Sequence, residues 1–163
     1  MADYLLDTNC FLQAAKLHYP LDVAASFWAA LAELAQGGRI HSIDRVKNEL
    51  YTNKDDLTAW CDNHLPTDFW LPSAPALAQY GQLMIWANTG DHFTNAAKTE
   101  FAQATNADPW LAALGAQDNC TVVTHERNDP AARKRVMLPV ACAQLSVGFC
   151  DTMGMFRRLG VRF

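Results

Sequence analysis

Apolar residues along this chain fall either into short solid runs or into stretches where they recur every three or four positions, and the two patterns alternate. Tyr4-Leu5-Leu6 is the first solid run. It stops at Asp7-Thr8-Asn9, and Phe11-Leu12 then resumes at helical spacing, which predicts a buried strand running into a helix with polar residues at the junction. Val23, Phe27, Ala30, Leu31 and Leu34 mark one face of a helix that starts near Asp22 and stops at Gly37-Gly38. Arg39 to Ser42 reads as a second short strand. Ile43, Val46 and Leu50 then predict a helix capped by Ser42, with Glu49 beside its apolar stripe.

Asp55 to His64 reads as a further helix, and Pro66, Pro72 and Pro75 punctuate the connection that follows. Helices are expected from Ala76 to Ala87, ended by Asn88-Thr89-Gly90, and from Thr94 to Ala104. Asp108-Pro109 opens another through Leu114, with aspartate as the cap and proline in the first turn. Asp118-Asn119 makes the turn into Cys120 to Thr124, the clearest strand of the chain. Short apolar stretches at Val147 to Cys150 and Gly160 to Phe163 are expected to add edge strands. Strands alternating with helices imply an α/β fold around a mainly parallel sheet, and with no repeat or linker in sight 1–163 reads as a single domain.

Composition supports that reading. At 163 residues, 50% hydrophobic and 18% charged, the chain has enough apolar content for a substantial core. Met1 to Asp7 holds two acids and no base, unlike a signal peptide, and no apolar run approaches the roughly 18 to 20 residues of a membrane span, so a soluble cytoplasmic protein is expected. The five cysteines are odd in number and far apart, as expected of reduced core residues rather than a disulfide framework or a zinc site. The net charge of −4 is unevenly spread. Seven basic and two acidic residues lie from Arg127 onward, a local balance of +5 that leaves −9 for the rest. Arg133, Lys134 and Arg135 are its densest part and the candidate arm for binding phosphate; an ordinary solvated surface is the plainer reading.

In a parallel α/β fold, ligands gather at the carboxyl ends of the strands. Asp7 ends the first strand, Glu49 lies on the helix after the second, Asp108 opens the helix leading to the last central strand, and Glu126 follows the end of that strand. Carboxylates about 4 Å apart repel by on the order of 4 kcal/mol at an effective dielectric near 20, so a convergent set requires a compensating cation. Oxygen-only ligation suits Mg²⁺ or Mn²⁺, and one or two such ions support hydrolysis of a phosphodiester. Each acid also has a structural reading: Asp108 before Pro109 is a good cap, Asp7 lies at a junction, Glu49 is a common helix residue, and Glu126 suits a loop.

Four islands in order, Tyr4-Leu5-Leu6-Asp7-Thr8-Asn9, Ser42-Ile43-Asp44-Arg45-Val46-Lys47-Asn48-Glu49-Leu50, Ala107-Asp108-Pro109-Trp110-Leu111-Ala112-Ala113 and Val122-Val123-Thr124-His125-Glu126, resemble the motifs of PIN-like domains. The resemblance implies a three-layer α/β/α fold and a metal-dependent endoribonuclease. It makes Asp7, Glu49 and Asp108 the metal-binding acids, with Glu126 in the place where the family usually has Thr-x-Asp. It further implies that Asn9 and Thr124 contact substrate or metal-bound water, and that the partners are RNA, a second copy of the chain and, as in the VapC-type toxins of toxin–antitoxin pairs, an antitoxin. The stretch from Ala76 to Ala104 and the tail with Cys142 and Cys150 are closer to an uncharacterised branch of PIN-like proteins. Two alternatives stand beside it. A haloacid-dehalogenase-like phosphatase also places Asp at the end of a first strand, but needs a second Asp where this chain has Asn9; a catalytically degenerate interaction module would keep the fold without the chemistry.

Overall fold

The structure, a computed structural model, describes residues 3–163. Met1 and Ala2, part of the N-terminal stretch read above as unlike a signal peptide, lie outside the described residues. Five parallel strands form the sheet: β1 (Tyr4–Leu6), β2 (Ile40–Ile43), β3 (Trp70–Leu71), β4 (Thr121–Val123) and β5 (Phe149–Cys150), in the order β3-β2-β1-β4-β5. Tyr4 pairs with Ile40 on one side and Thr121 on the other, which centres β1. The chain builds outward from β1 through β2 to β3, then returns to place β4 and β5 on the opposite side. Strand order therefore reverses between β1 and β4, and the crevice at their carboxyl ends is where such sheets bind ligands.

Helices follow from the crossovers. α1 (Thr8–Gln13), continued by a π-helical turn over Ala14–His18, and α2 (Ala25–Gln36) join β1 to β2; α3 (Asp44–Leu50) and α4 (Asp56–His64) join β2 to β3. A 3-10 turn at Ala74–Ala76, then α5 (Leu77–Asn88), α6 (Asn95–Phe101) and α7 (Asp108–Asp118), carry the chain back to β4. α8 (Leu138–Gln144) links β4 to β5, and α9 (Thr152–Leu159) ends the fold. Right-handed crossovers place the helices of the two halves on opposite faces. α7 accordingly packs on α5 and α8, while Phe156 of α9 meets Phe27 of α2 edge-on at 5.8 Å. With both faces covered, the central strands are largely enclosed and mostly apolar: Leu5, Leu6, Ile40, Ile43, Val122 and Val123 are all buried, and so are the polar His41 and Ser42 of β2. Among the described residues no helix is long and apolar enough to cross a membrane.

The structure corrects several local expectations. Ser42 does not cap α3; it is enclosed within β2, and its hydroxyl donates to the Leu6 carbonyl at 2.6 Å, tying β2 to β1. Asp108 is the first helical residue of α7 rather than its cap, because Asn106 Oδ1 accepts the Asp108 N–H at 3.0 Å and leaves the carboxylate for other work. The helix placed at Asp22 starts at Ala25, with Val23 exposed, and the one expected to reach Ala104 ends at Phe101. No edge strand forms over Gly160 to Phe163: α9 fills the preceding residues, capped by Asp151 through the Gly154 N–H, and ends at Gly160 with φ 69°. Gly115 of α7 marks a close approach, since a Cβ there would lie 2.9 Å from Val147 Cγ1 just before β5.

Candidate metal centre

Three acids meet at the reversal of strand order. Asp7 follows β1, and its N–H donates to the Val123 carbonyl of β4 at 3.0 Å, which fixes it at the junction of the central strands. Asp108 arrives from α7. Glu126 arrives from the loop after β4, held at both ends: its N–H donates to Thr124 Oγ1 at 3.1 Å, and its Oε2 accepts the Leu138 N–H at the start of α8 at 2.7 Å. Each of the three offers one carboxylate oxygen, and these oxygens lie within 4.8 Å of one another. Asp7 is 2% exposed, and the Asp108 and Glu126 side chains 13% and 7%.

That enclosure is electrostatically costly. Burial pushes the Asp7 carboxyl up to about 7, with the Glu126 charge adding to it, although Thr124 Oγ1 donates to Asp7 Oδ2 at 3.0 Å and stabilises the anion. Asp108 is raised well above the ordinary carboxylate range, first by burial and then by Asp7 and Glu126. Burial and then these same acids push the buried Cys142 thiol of α8 upward as well, so the cluster's field reaches into the second layer. Among the described residues, Arg135 is the cation paired with these acids. Arg135 Nη2 lies 2.5 Å from Glu126 Oε1 and 3.4 Å from Asp108 Oδ2, on a half-exposed side chain. An all-oxygen donor set, buried and short of positive charge, fits a hard divalent cation.

The other expected site residues either support the trio or lie away from it. Glu49 stays outside the trio: its Oε2 accepts the Thr8 hydroxyl at 2.5 Å and its Oε1 the Ala107 N–H at 3.0 Å. It thereby links α3 to the first residue of α1 and the start of α7, the two segments that carry Asp7 and Asp108, and its charge still reaches both. Thr124 organises the acids, bonded to Asp7 and Glu126 alike. Asn9 is half-buried in the first turn of α1. The basic trio diverges: Arg133 donates to the Asp91 carbonyl at 2.8 Å, Lys134 is exposed, and Arg135 alone reaches the carboxylates.

Two contributors escaped the sequence reading. Thr8 anchors Glu49, and the N-terminus of α8 anchors Glu126; Leu138-Pro139 ahead of Val140, Ala141 and Cys142 carried the signal of a helix start for the second. Behind Asp108, Trp110 is sandwiched between Tyr80, stacked at 4.1 Å, and the Arg45 guanidinium 4.2 Å from its ring. Arg45 in turn donates to Ser73 Oγ and the Ala104 carbonyl, which braces the start of α7.

Among solved structures the chain resembles VapBC2 from Rickettsia felis, described as bound to a DNA fragment from their promoter, with 18% identity, a TM-score of 0.53, and coverage of 93% of this chain and 98% of that one. At that identity the likeness shows the fold, the three-layer α/β/α arrangement of PIN-like domains, in which the acids occupy the crevice just described. No curated protein matches the sequence. A family model described as a domain of unknown function, DUF4411, matches residues 4–163, nearly the whole chain, and the chain therefore belongs to the DUF4411 family.

Proposed function

We propose that this chain is a divalent-metal-dependent ribonuclease that hydrolyses RNA phosphodiester bonds. The observation that carries it is the trio of buried carboxylates, Asp7, Asp108 and Glu126, converging within 4.8 Å at the reversal of strand order. In this reading the three hold the ion, while Glu49 orients the segments that deliver two of them. Mg²⁺ or Mn²⁺, when bound, supplies charge neutralisation and a water of lowered pKa. Thr124 holds Asp7 and Glu126 in register through its hydroxyl. Arg135, already at the mouth, binds a phosphate oxygen of the strand, with Lys134 and Arg133 lending longer-range attraction.

The partner we propose besides RNA is a small protein that blocks the carboxylate edge, because the solved neighbour is a VapBC complex. The phosphatase alternative finds no support in the geometry, since Asn9 stands where a second acid is needed and Glu126 is delivered by another strand. The test is cleavage of single-stranded RNA by the purified protein with Mn²⁺, Mg²⁺ or EDTA. Cleavage is expected with either ion and not with EDTA, and Asp7→Asn and Asp108→Asn are each expected to lower it by about 10²-fold or more. A folded protein that binds Mn²⁺ at these acids but cuts no RNA would leave the interaction module as the better reading.

A further inference from the structure

The carboxyl edge of the sheet does not end at the acids. One residue before Glu126, His125 lines a cavity of about 310 Å³ whose other walls include His18, Tyr19, Phe27, Asp151 and Met153. Ala14 also borders it, seven residues beyond Asp7, which places the cavity on the order of 10 Å from the acids along α1 at 1.5 Å per residue. The π-helical turn at Ala14–His18, a widened geometry that recurs at functional sites, contributes both its end residues to the lining. None of these side chains serves the acid cluster.

The lining combines an apolar wall with a polar rim. Tyr19 and Phe27 stack at 4.2 Å with planes 6° apart, and the Tyr19 hydroxyl donates to Met153 Sδ at 3.9 Å. On the rim, His125 Nε2 meets Thr152 Oγ1 at 2.7 Å, which leaves its second ring nitrogen for a ligand. Asp151 spends Oδ1 on the Gly154 N–H at 2.7 Å; its Oδ2 has no hydrogen bond among the described residues. His18 is exposed, with its ring 6.3 Å from that of Tyr19.

We propose that this cavity is a nucleobase subsite that takes a purine of the RNA strand next to the phosphate at the acids, a proposal that rests on the nuclease reading. An aromatic and thioether wall suits the face of a flat heterocycle, and single-stranded RNA is read by such stacking together with hydrogen bonds to base edges. The volume lies at the lower end of small-molecule pockets, enough for a bicyclic base. The charge on Asp151 Oδ2 selects for a donor, such as the exocyclic amino group of guanine or adenine, while the histidines supply a donor to the ring nitrogens or carbonyl. Uracil has no exocyclic amino group, its one N–H edge donor lies between two carbonyls that the carboxylate would repel, and a single pyrimidine ring covers less of the aromatic wall than a purine does.

The test is binding, followed by cleavage. Protein labelled with ¹³C-methyl methionine is titrated in EDTA with guanosine, adenosine and uridine 5′-monophosphates and with inorganic phosphate alone. The purine nucleotides are expected to shift the Met153 methyl with at least about tenfold better affinity than the uridine nucleotide, and phosphate alone to leave it in place. Asp151→Asn, which keeps an oxygen for the α9 cap, is expected to erase the purine preference, and His18→Ala on the exposed rim to weaken it. A Met153 methyl unmoved by nucleotides, or moved equally by phosphate, overturns the subsite. Purine binding in a protein that cuts no RNA keeps the subsite and removes the nuclease; metal-dependent cutting whose positions are the same in wild type, Asp151→Asn and His18→Ala does the reverse.

Discussion

In the middle of the sheet, Leu5 and Val122 are fully enclosed and apolar; two residues further along the same two strands, Asp7 and Thr124 are almost as enclosed and polar. The same depth of burial has opposite consequences. Each leucine or valine removed from water contributes roughly 1.5–3 kcal/mol. A carboxylate taken to the same depth shifts its own pKa instead, and Asp7 does so up to about 7. Stability alone would not select three acids at one buried point, so the contrast between core and edge is itself the argument that the edge serves a ligand.

The largest effect should come from breaking the apolar side of this contrast. Phe11 of α1 lies four residues beyond Asp7, is 1% exposed, and meets Phe69 and Trp70 at centroid distances of 6.2 and 6.1 Å. Phe11→Ala is expected to destabilise the protein by about 3–5 kcal/mol in urea unfolding, with or without metal. A loss below ~1 kcal/mol would mean that the helix carrying the site is not anchored through this ring.

On the polar side the sign reverses. The Asp7 carboxyl has a folded-state pKa raised from 3.8 to about 7, so the stability it contributes is fully present below pH 3.8 and is lost as pH rises through about 7. Asp7→Asn, which keeps an acceptor for the Thr124 hydroxyl, removes that loss. In EDTA the variant should match wild type near pH 4 and exceed it by roughly 2–4 kcal/mol above pH 7, an upper range set by 1.36 kcal/mol per pKa unit. Millimolar Mn²⁺ should close the gap by stabilising only wild type. A variant less stable than wild type at pH 8 in EDTA would show that the buried acid is a structural asset.

How legible this was from sequence depended on range. Asp7 and Asp108 were visible because each stands where a local pattern changes, apolar run to polar junction in one case and Asp-Pro helix start in the other. β1 and β4 were visible as apolar runs, and β2 as the short strand expected over Arg39 to Ser42 after the Gly37-Gly38 stop. β3 was not: Trp70–Leu71 is two residues long between Pro66 and Pro72, too short for any period to register. α9 was missed although its inward residues Thr152, Met155, Phe156 and Leu159 recur at helical spacing: the helix is only eight residues long, contains Gly154, and lies between two short apolar stretches that were read as strands. The ranking of the acids was less legible still. Glu49 matched a motif yet is engaged by Thr8 and Ala107, while Glu126, the departure from the motif, joins the trio. Partners 41 and 58 residues away decide the first, and a helix start 12 residues on decides the second, which no local pattern encodes.

The smallest effect sharpens the comparison most, because it asks what offsets the acids when no ion is bound. Arg135 is the chain's own counter-charge, bonded to Glu126 and within 3.4 Å of Asp108, but its side chain is 46% exposed, so the pairs are screened and worth little to the fold. A divalent cation held by the proposed centre would compete with the guanidinium for the Asp108 and Glu126 carboxylates. Arg135→Gln is therefore expected to leave unfolding stability within about 1 kcal/mol of wild type and to tighten Mn²⁺ binding by calorimetry about fivefold. The same variant should bind single-stranded RNA more weakly and lower its salt slope by roughly one counterion, if Arg135 makes the phosphate contact proposed for it. Opposite signs on the two ligands are the signature of a side chain that yields the carboxylates to metal and turns to phosphate. Weaker binding of both would instead make Arg135 a positioning residue that holds Glu126 in place.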